Sequence, residues 1–228
     1  MARNVRTYEH FCNVARALER VGERWTLLVV RDLLTGPKRF TDLMDRLGGI
    51  TPKTLTLRLR ELEEAGVVEA DREPGRREVR YRLTAMGEDL RPAVDALGWW
   101  GTRHAWRPPR PDDALHIEHL LSALVRVIDR TGGETAPARW HLALEDGGDY
   151  AIESDGGHWT LADRRPEGAP DVTVTTTTAR FRELIPDPTP ERASALGIRI
   201  DGAAAGVARF HRLLATFSGM VTLQSPAG

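Results

Sequence analysis

Between residues 24 and 83 the apolar positions change from a helical period to a strand period. Two short amphipathic helices come first, and a third opens at Thr51-Pro52-Lys53. Thr51 suits the cap of its free amides, Pro52 suits a first helical position that needs no N–H, and Gly66 stops it, so a helix of about four turns is expected. On a 3.6-residue wheel Leu55, Leu59 and Leu62 form one apolar stripe, while Lys53, Leu57, Arg60 and Glu64 fall opposite. From Val67-Val68 the period becomes two: Pro74-Gly75 supplies a turn, and Val79, Tyr81 and Leu83 alternate with Arg80 and Arg82, predicting a hairpin with one buried face. Its tip gathers Arg72, Arg76 and Arg77. Three helices and a basic hairpin in this order predict a winged helix-turn-helix, whose third helix enters the DNA major groove while the hairpin follows the backbone.

The chemistry of the third helix agrees with that expectation. Lys53, Arg58 and Arg60 are compatible with an ordinary solvated face, but Leu57 is an apolar side chain among them. In a groove it can meet a thymine methyl while Thr51, Lys53 and Thr54 reach base edges or phosphates. Arginines at the hairpin tip suit phosphates beside the groove, or are simply exposed turn residues of an arginine-rich protein.

Periodicity continues past the hairpin. Leu90, Val94, Leu97 and Trp100 recur at helical spacing from Met86 to about Ala105, with Trp99 and Trp106 on the flanks. One winged domain is small for three tryptophans. A partner subunit is the preferred place for them, and the chain's own second domain is the other. A two-fold dimer would set two recognition helices about 34 Å apart, one turn of DNA.

Arg107-Pro108-Pro109-Arg110-Pro111-Asp112-Asp113 cannot continue a helix and reads as a stiff linker. The expected domains are therefore 1–107, a linker at 108–113, and 114–228. Charge changes sign across this stretch: residues 1–107 carry a net +4 and 108–228 a net −5, although the whole chain is only −1. The basic half suits phosphate, and the acidic half needs another task. Residues 114–131 predict an amphipathic helix; 139–145, 149–153, 158–162 and 172–177 predict strands; 179–184 and 203–217 predict helices. The expected class is α+β, with a C-terminal antiparallel sheet covered by helices.

The run from Cys12 to His104 resembles the HxlR-type bacterial regulators through Trp25-Thr26-Leu27-Leu28, Gly36-Pro37-Lys38-Arg39-Phe40, Ile50-Thr51-Pro52-Lys53, Leu59-Arg60-Glu61-Leu62-Glu63-Glu64-Ala65-Gly66 and Tyr81-Arg82-Leu83-Thr84. The resemblance implies a homodimer on operator DNA, joined through its N-terminus and the long helix after the wing. The expected DNA contacts are Arg39, Thr51, Pro52, Lys53, Thr54, Leu57, Arg58, Arg60, Arg76 and Arg77, and the expected dimer contacts are Leu90, Val94, Leu97, Trp99 and Trp100. Asn13 replaces a frequent proline, and Leu57 stands where a polar residue is frequent, so no operator sequence transfers. Some members of the family sense oxidants through a cysteine at the position of Cys12; the alternative is a small buried hydrophobe.

The second half is similar to the sterol carrier protein family at Asp155-Gly156-Gly157, Asp171-Val172-Thr173-Val174-Thr175 and Ile198-Arg199-Ile200-Asp201-Gly202. That likeness implies an apolar cavity for a small hydrophobic or aromatic ligand, lined by Trp140, His141, Tyr150, Trp159, Phe181 and Phe210, unless these residues simply fill the core. His116 and His119 lack an identified third ligand, so no metal is expected, and no cofactor. Short catalytic signatures are absent, which argues against an enzyme. One cysteine forbids an internal disulfide, and no span has the length of a membrane helix or the look of a signal peptide, so a cytoplasmic protein is expected.

The expected function is a sequence-specific transcription regulator, acting as a repressor, controlled by a ligand in the C-terminal domain. Two alternatives stand beside it: a thiol-based redox regulator using Cys12 with a structural C-terminal domain, and a lipid carrier or enzyme in which the winged module mediates protein contacts.

Overall fold

A computed structural model describes residues 7–72, 78–105, 116–131 and 136–222. The chain forms two compact units that divide between Val94 and Asp95. The 108–113 linker, Trp106 and the hairpin tip with Arg76 and Arg77 lie outside the described residues.

In the N-terminal unit, α1 (Asn13–Val21), α2 (Thr26–Leu33), β1 (Lys38–Arg39), α3 (Phe40–Leu47) and α4 (Pro52–Glu64) precede β2 (Val68–Asp71) and β3 (Arg80–Leu83). The local signals on α4 act as anticipated. Thr51 Oγ1 accepts the amide of Thr54 at 3.2 Å, with Pro52 next in line. At the other end Gly66 takes φ +73°, and the Val67 and Gly66 amides donate to the carbonyls of Leu62 and Glu63 at 2.9 and 3.0 Å. This is a Schellman ending, which needs a residue free of a Cβ at the left-handed position. Leu55, Leu59 and Leu62 are almost fully buried in a core shared with Val29, Val30, Leu33 and Leu43. Each such side chain contributes about 1.5–3 kcal/mol relative to exposure.

The sheet of the wing has order β1-β3-β2, all antiparallel. Arg80 and Arg82 are exposed and Leu83 is buried, following the predicted alternation. The short β1 was not anticipated, since two residues carry no period of their own.

One helix was expected from Met86 to about Ala105; two are found, α5 (Ala85–Glu88) and α6 (Arg91–His104). Pro92 explains the break, because inside a continuous helix it would remove the bond to the Glu88 carbonyl and clash with it. Near the start of a new helix it is harmless. Thr84 begins α5 by accepting the Gly87 amide at 3.2 Å and donating to the Gly66 carbonyl at 2.6 Å, which ties the helix to the exit of α4.

The C-terminal unit contains α7 (Ile117–Thr131), β4 (Ala138–Leu144), β5 (Gly148–Ser154), β6 (Trp159–Ala162), β7 (Val172–Thr176), α8 (Thr178–Leu184), α9 (Pro190–Ala195), β8 (Arg199–Gly202) and α10 (Ala204–Thr222). Its five strands run in the order β6-β5-β4-β7-β8. The sheet is mixed, not antiparallel throughout: β7 pairs with β4 in parallel, Trp140 opposite Val172 and Leu144 opposite Thr176. The segment 163–171 returns the chain across two strands without a helix, and strand periodicity alone does not reveal on which side of the sheet, or in which direction, such a return will dock.

Alternation sorts the two faces of this sheet. Trp140, Leu142, Leu144, Ile152, Val172 and Val174 enter a core with Leu121, Leu124 and Ile128 of α7 and Phe210, Leu214 and Phe217 of α10. The other face is polar. There Glu153 pairs with Arg139 at 3.0 Å and Arg164 at 3.2 Å, and Asp149 meets His141 at 2.6 Å and Arg165 at 3.1 Å. Desolvation pushes the Asp149 carboxyl up, but hydrogen bonds from His141 and Arg165 outweigh it and hold its pKa below the ordinary carboxylate range.

Candidate nucleic-acid interface

The exposed side of α4 is the candidate surface. Thr51, Pro52, Lys53, Leu57 and Arg60 are exposed and Thr54 is half-buried, opposite the buried leucine stripe. Leu57 has 46 % of its surface open, whereas Leu59, two residues on, has 2 %. The hydroxyls of Thr51 and Thr54 lie 2.8 Å apart at the helix start, where the free amides of the first turn also favour an anion.

Not every predicted cation joins that surface. The Arg58 side chain is only 11 % exposed; its guanidinium sits 2.8 Å from Glu61 and 3.5 Å from Glu23, the latter in the turn before α2. Arg58 thus fixes α4 against another element. Arg60 reaches Glu64 at 2.9 Å, yet its side chain is 74 % exposed, and an ion pair this open holds it weakly. Arg39 stands at the N-cap of α3 and pairs with Glu78 beside β3 at 2.9 Å. On the wing, Arg82 pairs with Glu69 and Arg72 with Glu63, at 3.2 and 3.5 Å. Burial, then the carboxylate of Glu63, raises the Tyr81 pKa.

The five residues expected at a dimer contact separate. Val94 is buried in the N-terminal core and Leu90 packs against it. Trp99 packs on the C-terminal core with Arg130 over its ring at 5.5 Å. Leu97 and Trp100 are 54 % and 59 % exposed. Sequence reasoning named no N-terminal residue for this role, but Phe11, Val14 and Leu18 form an exposed apolar stripe leading into α1. Their spacing of three and four was the available signal. Cys12 is exposed at the N-cap of the same helix and forms no side-chain cap hydrogen bond, unlike a small buried hydrophobe.

Of the six aromatic and histidine positions named in the second half, five face the core. Trp140 lies 4.6 Å from Trp159 and 5.3 Å from Phe210 between ring centroids, and Phe181 is buried in the same core. The Tyr150 hydroxyl, also buried, donates to the Glu118 carboxylate. His141 points to the polar face of the sheet, toward Asp149. Among the described residues no group of three or more metal-ligating side chains is found, and no helix is long and apolar enough to cross a membrane.

Comparison with known proteins agrees with the geometry of the first unit. Residues 20–108 match the family model described as HxlR-like helix-turn-helix. An uncharacterized HTH-type transcriptional regulator of Mycobacterium tuberculosis (strain H37Rv) is 46 % identical over 102 residues, covering 43 % of this chain and 63 % of that protein. The chain thus spans a little under two thirds of that relative's length. The uncharacterized HTH-type transcriptional regulator YdeP of Bacillus subtilis is 34 % identical over 113 residues, covering 48 % of this chain and 87 % of YdeP. The reduced form of the transcriptional regulator YodB from B. subtilis is a similar solved structure, with 29 % identity, a TM-score of 0.38, and coverage of 44 % of this chain and all of that one. With the family model, and with a relative of this identity matched over most of its length, the chain belongs to the HxlR-like helix-turn-helix family of transcription regulators.

Proposed function

We propose that this protein is a dimeric transcription regulator, acting as a repressor, that reads double-stranded DNA with α4. The observation that carries the reading is the division of one helix into a buried Leu55–Leu59–Leu62 side and an open Lys53–Leu57–Arg60 side. Phosphate contacts from cations position such a helix, and contacts to base edges give it sequence preference. Arg39 and the wing are assigned phosphate contacts, while Arg58 fixes the helix through Glu61 and Glu23. The exposed apolar stripe of Phe11, Val14 and Leu18 supports a second subunit.

Footprinting on the DNA adjoining the protein's own gene tests this, followed by anisotropy titrations on the protected site. Lys53→Ala and Arg60→Ala are each expected to weaken binding, and the salt slope should fall by about 1 for each phosphate that the variant no longer neutralises. Leu57→Gln should change which sequences bind best. Unaltered isotherms for all three variants would show that α4 is not the reading head.

The finer reading gives the C-terminal unit a small apolar or aromatic ligand that shifts operator affinity. Its support is a separate α+β core in which β7 and β8 coincide with two of the three sterol-carrier-like motifs, and which buries a Tyr150–Glu118 polar pair in addition to its Trp140, Trp159 and Phe210 rings. A coupling of about 1–3 kcal/mol would suffice for control. Cys12 supports a second reading, because an exposed thiol at a helix N-terminus is placed to react. If oxidants release the DNA through this thiol, Cys12→Ser abolishes the response; a variant that still responds excludes it.

A further inference from the structure

The last three turns of α6 present two different sides. Asp95, Gly98 and Trp99 turn toward α7, and Leu97 and Trp100 are exposed on another side. The inner side is closely fitted. Asp95 meets the Arg126 guanidinium at 3.2 Å, Arg130 lies over the Trp99 ring at 5.5 Å, and Trp99 itself rests on the core behind α7. Gly98 permits this approach: a Cβ there would stand 2.6 Å from Arg126 Nε and 2.7 Å from its Cζ. A charge-assisted bond, a cation over an indole and a missing side chain coincide within two helical turns, a construction that ordinary surface packing does not require.

We propose that α7 governs α6: through Arg126 and Arg130 the C-terminal unit sets how firmly residues 95–104 hold their helix, and so how well Leu97 and Trp100 can serve a second subunit. The part concerning the second subunit rests on the dimeric reading given above. The seat itself does not, since all of its members lie within the C-terminal unit. Any event that shifts α7, including occupation of the core it covers, would then reach the exposed side of α6 without any change in what touches that side.

Amide hydrogen exchange on the full chain without DNA tests the seat, and sedimentation of the same samples tests its consequence. In Arg126→Gln/Arg130→Gln, residues 95–104 should exchange about tenfold faster, while α2 to α4 keep their protection. The dimer dissociation constant should rise by a similar factor. Retained protection at 95–104 overturns the proposal, and so does faster exchange with an unchanged dimer constant, which would leave α7 as a brace only. If the double variant unfolds the C-terminal unit, seen as lost protection in β4 and β7, Asp95→Asn takes its place, because Asp95 lies outside the core and must show the same effect. A wild-type protein that stays monomeric at every concentration refutes the dimeric reading, and the exchange comparison then decides the seat alone.

Discussion

Leu59→Ala should destabilise the N-terminal unit by about 2–5 kcal/mol and remove operator binding with it, whereas Leu57→Gln should leave stability within about 0.5 kcal/mol and alter DNA binding alone. The two leucines lie two residues apart on α4, and only their sides differ: 2 % of Leu59 is open to water and 46 % of Leu57. Truncating Leu59 removes apolar packing and leaves a void under the helix that neighbours such as Val30 and Leu43 fill only in part. Leu57 lies outside the core, so exchanging it changes what the helix offers to a groove. Urea denaturation and anisotropy on the same two proteins would check this. Comparable stability losses for both would show that Leu57 is packed as Leu59 is and does not lie on an open face of α4.

Trp140→Ala should take about 3–5 kcal/mol from the C-terminal unit, a large fraction of the roughly 5–15 kcal/mol that holds a typical domain. Trp140 is buried at the centre of β4 against Trp159 and Phe210, so its loss unseats rings contributed by two other elements. For a domain of about 100 residues each kcal/mol moves the midpoint by roughly 4–8 °C, so the C-terminal melting transition should fall by about 12 °C or more. Calorimetry should show this fall while exchange protection in α2 to α4 persists at 25 °C. A thermogram like that of the wild type would mean that the aromatic cluster does not hold the sheet to its helices.

What could be read in advance follows from how far each determinant reaches along the chain. The α4 boundaries were legible because Thr51, Pro52 and Gly66 act within one turn of themselves, and its leucine stripe because 3.6-residue spacing is local. Four of the five strands of the second half, β4 to β7, are legible to within about two residues because inward and outward positions alternate, whereas the four-residue β8 and the six-residue α9 are too short to show a period and were not anticipated. The shielding of Arg58 is not legible in the sequence because one of its two carboxylate partners, Glu23, stands thirty-five positions earlier. His141 was grouped with its neighbour Trp140, although adjacent strand residues must point to opposite faces. The parallel docking of β7 on β4 depended on a long return with no period to read. The tryptophans needed spatial knowledge as well: Trp99 and Trp100 are consecutive, yet one packs on a core and the other is open.

The division of the chain within α6 also bears on how its halves can be separated. A cleavage at the proline-rich stretch, where the sequence invites it, would send Trp99 away with the DNA-reading fragment and strip it of the Arg130 guanidinium and the apolar wall that shield it. That fragment would carry a sticky indole into solution and tend to clump, while the remainder would keep an arginine-lined scar. The seam lies inside a helix, so two fragments that each keep their own packing would have to part between Val94 and Asp95.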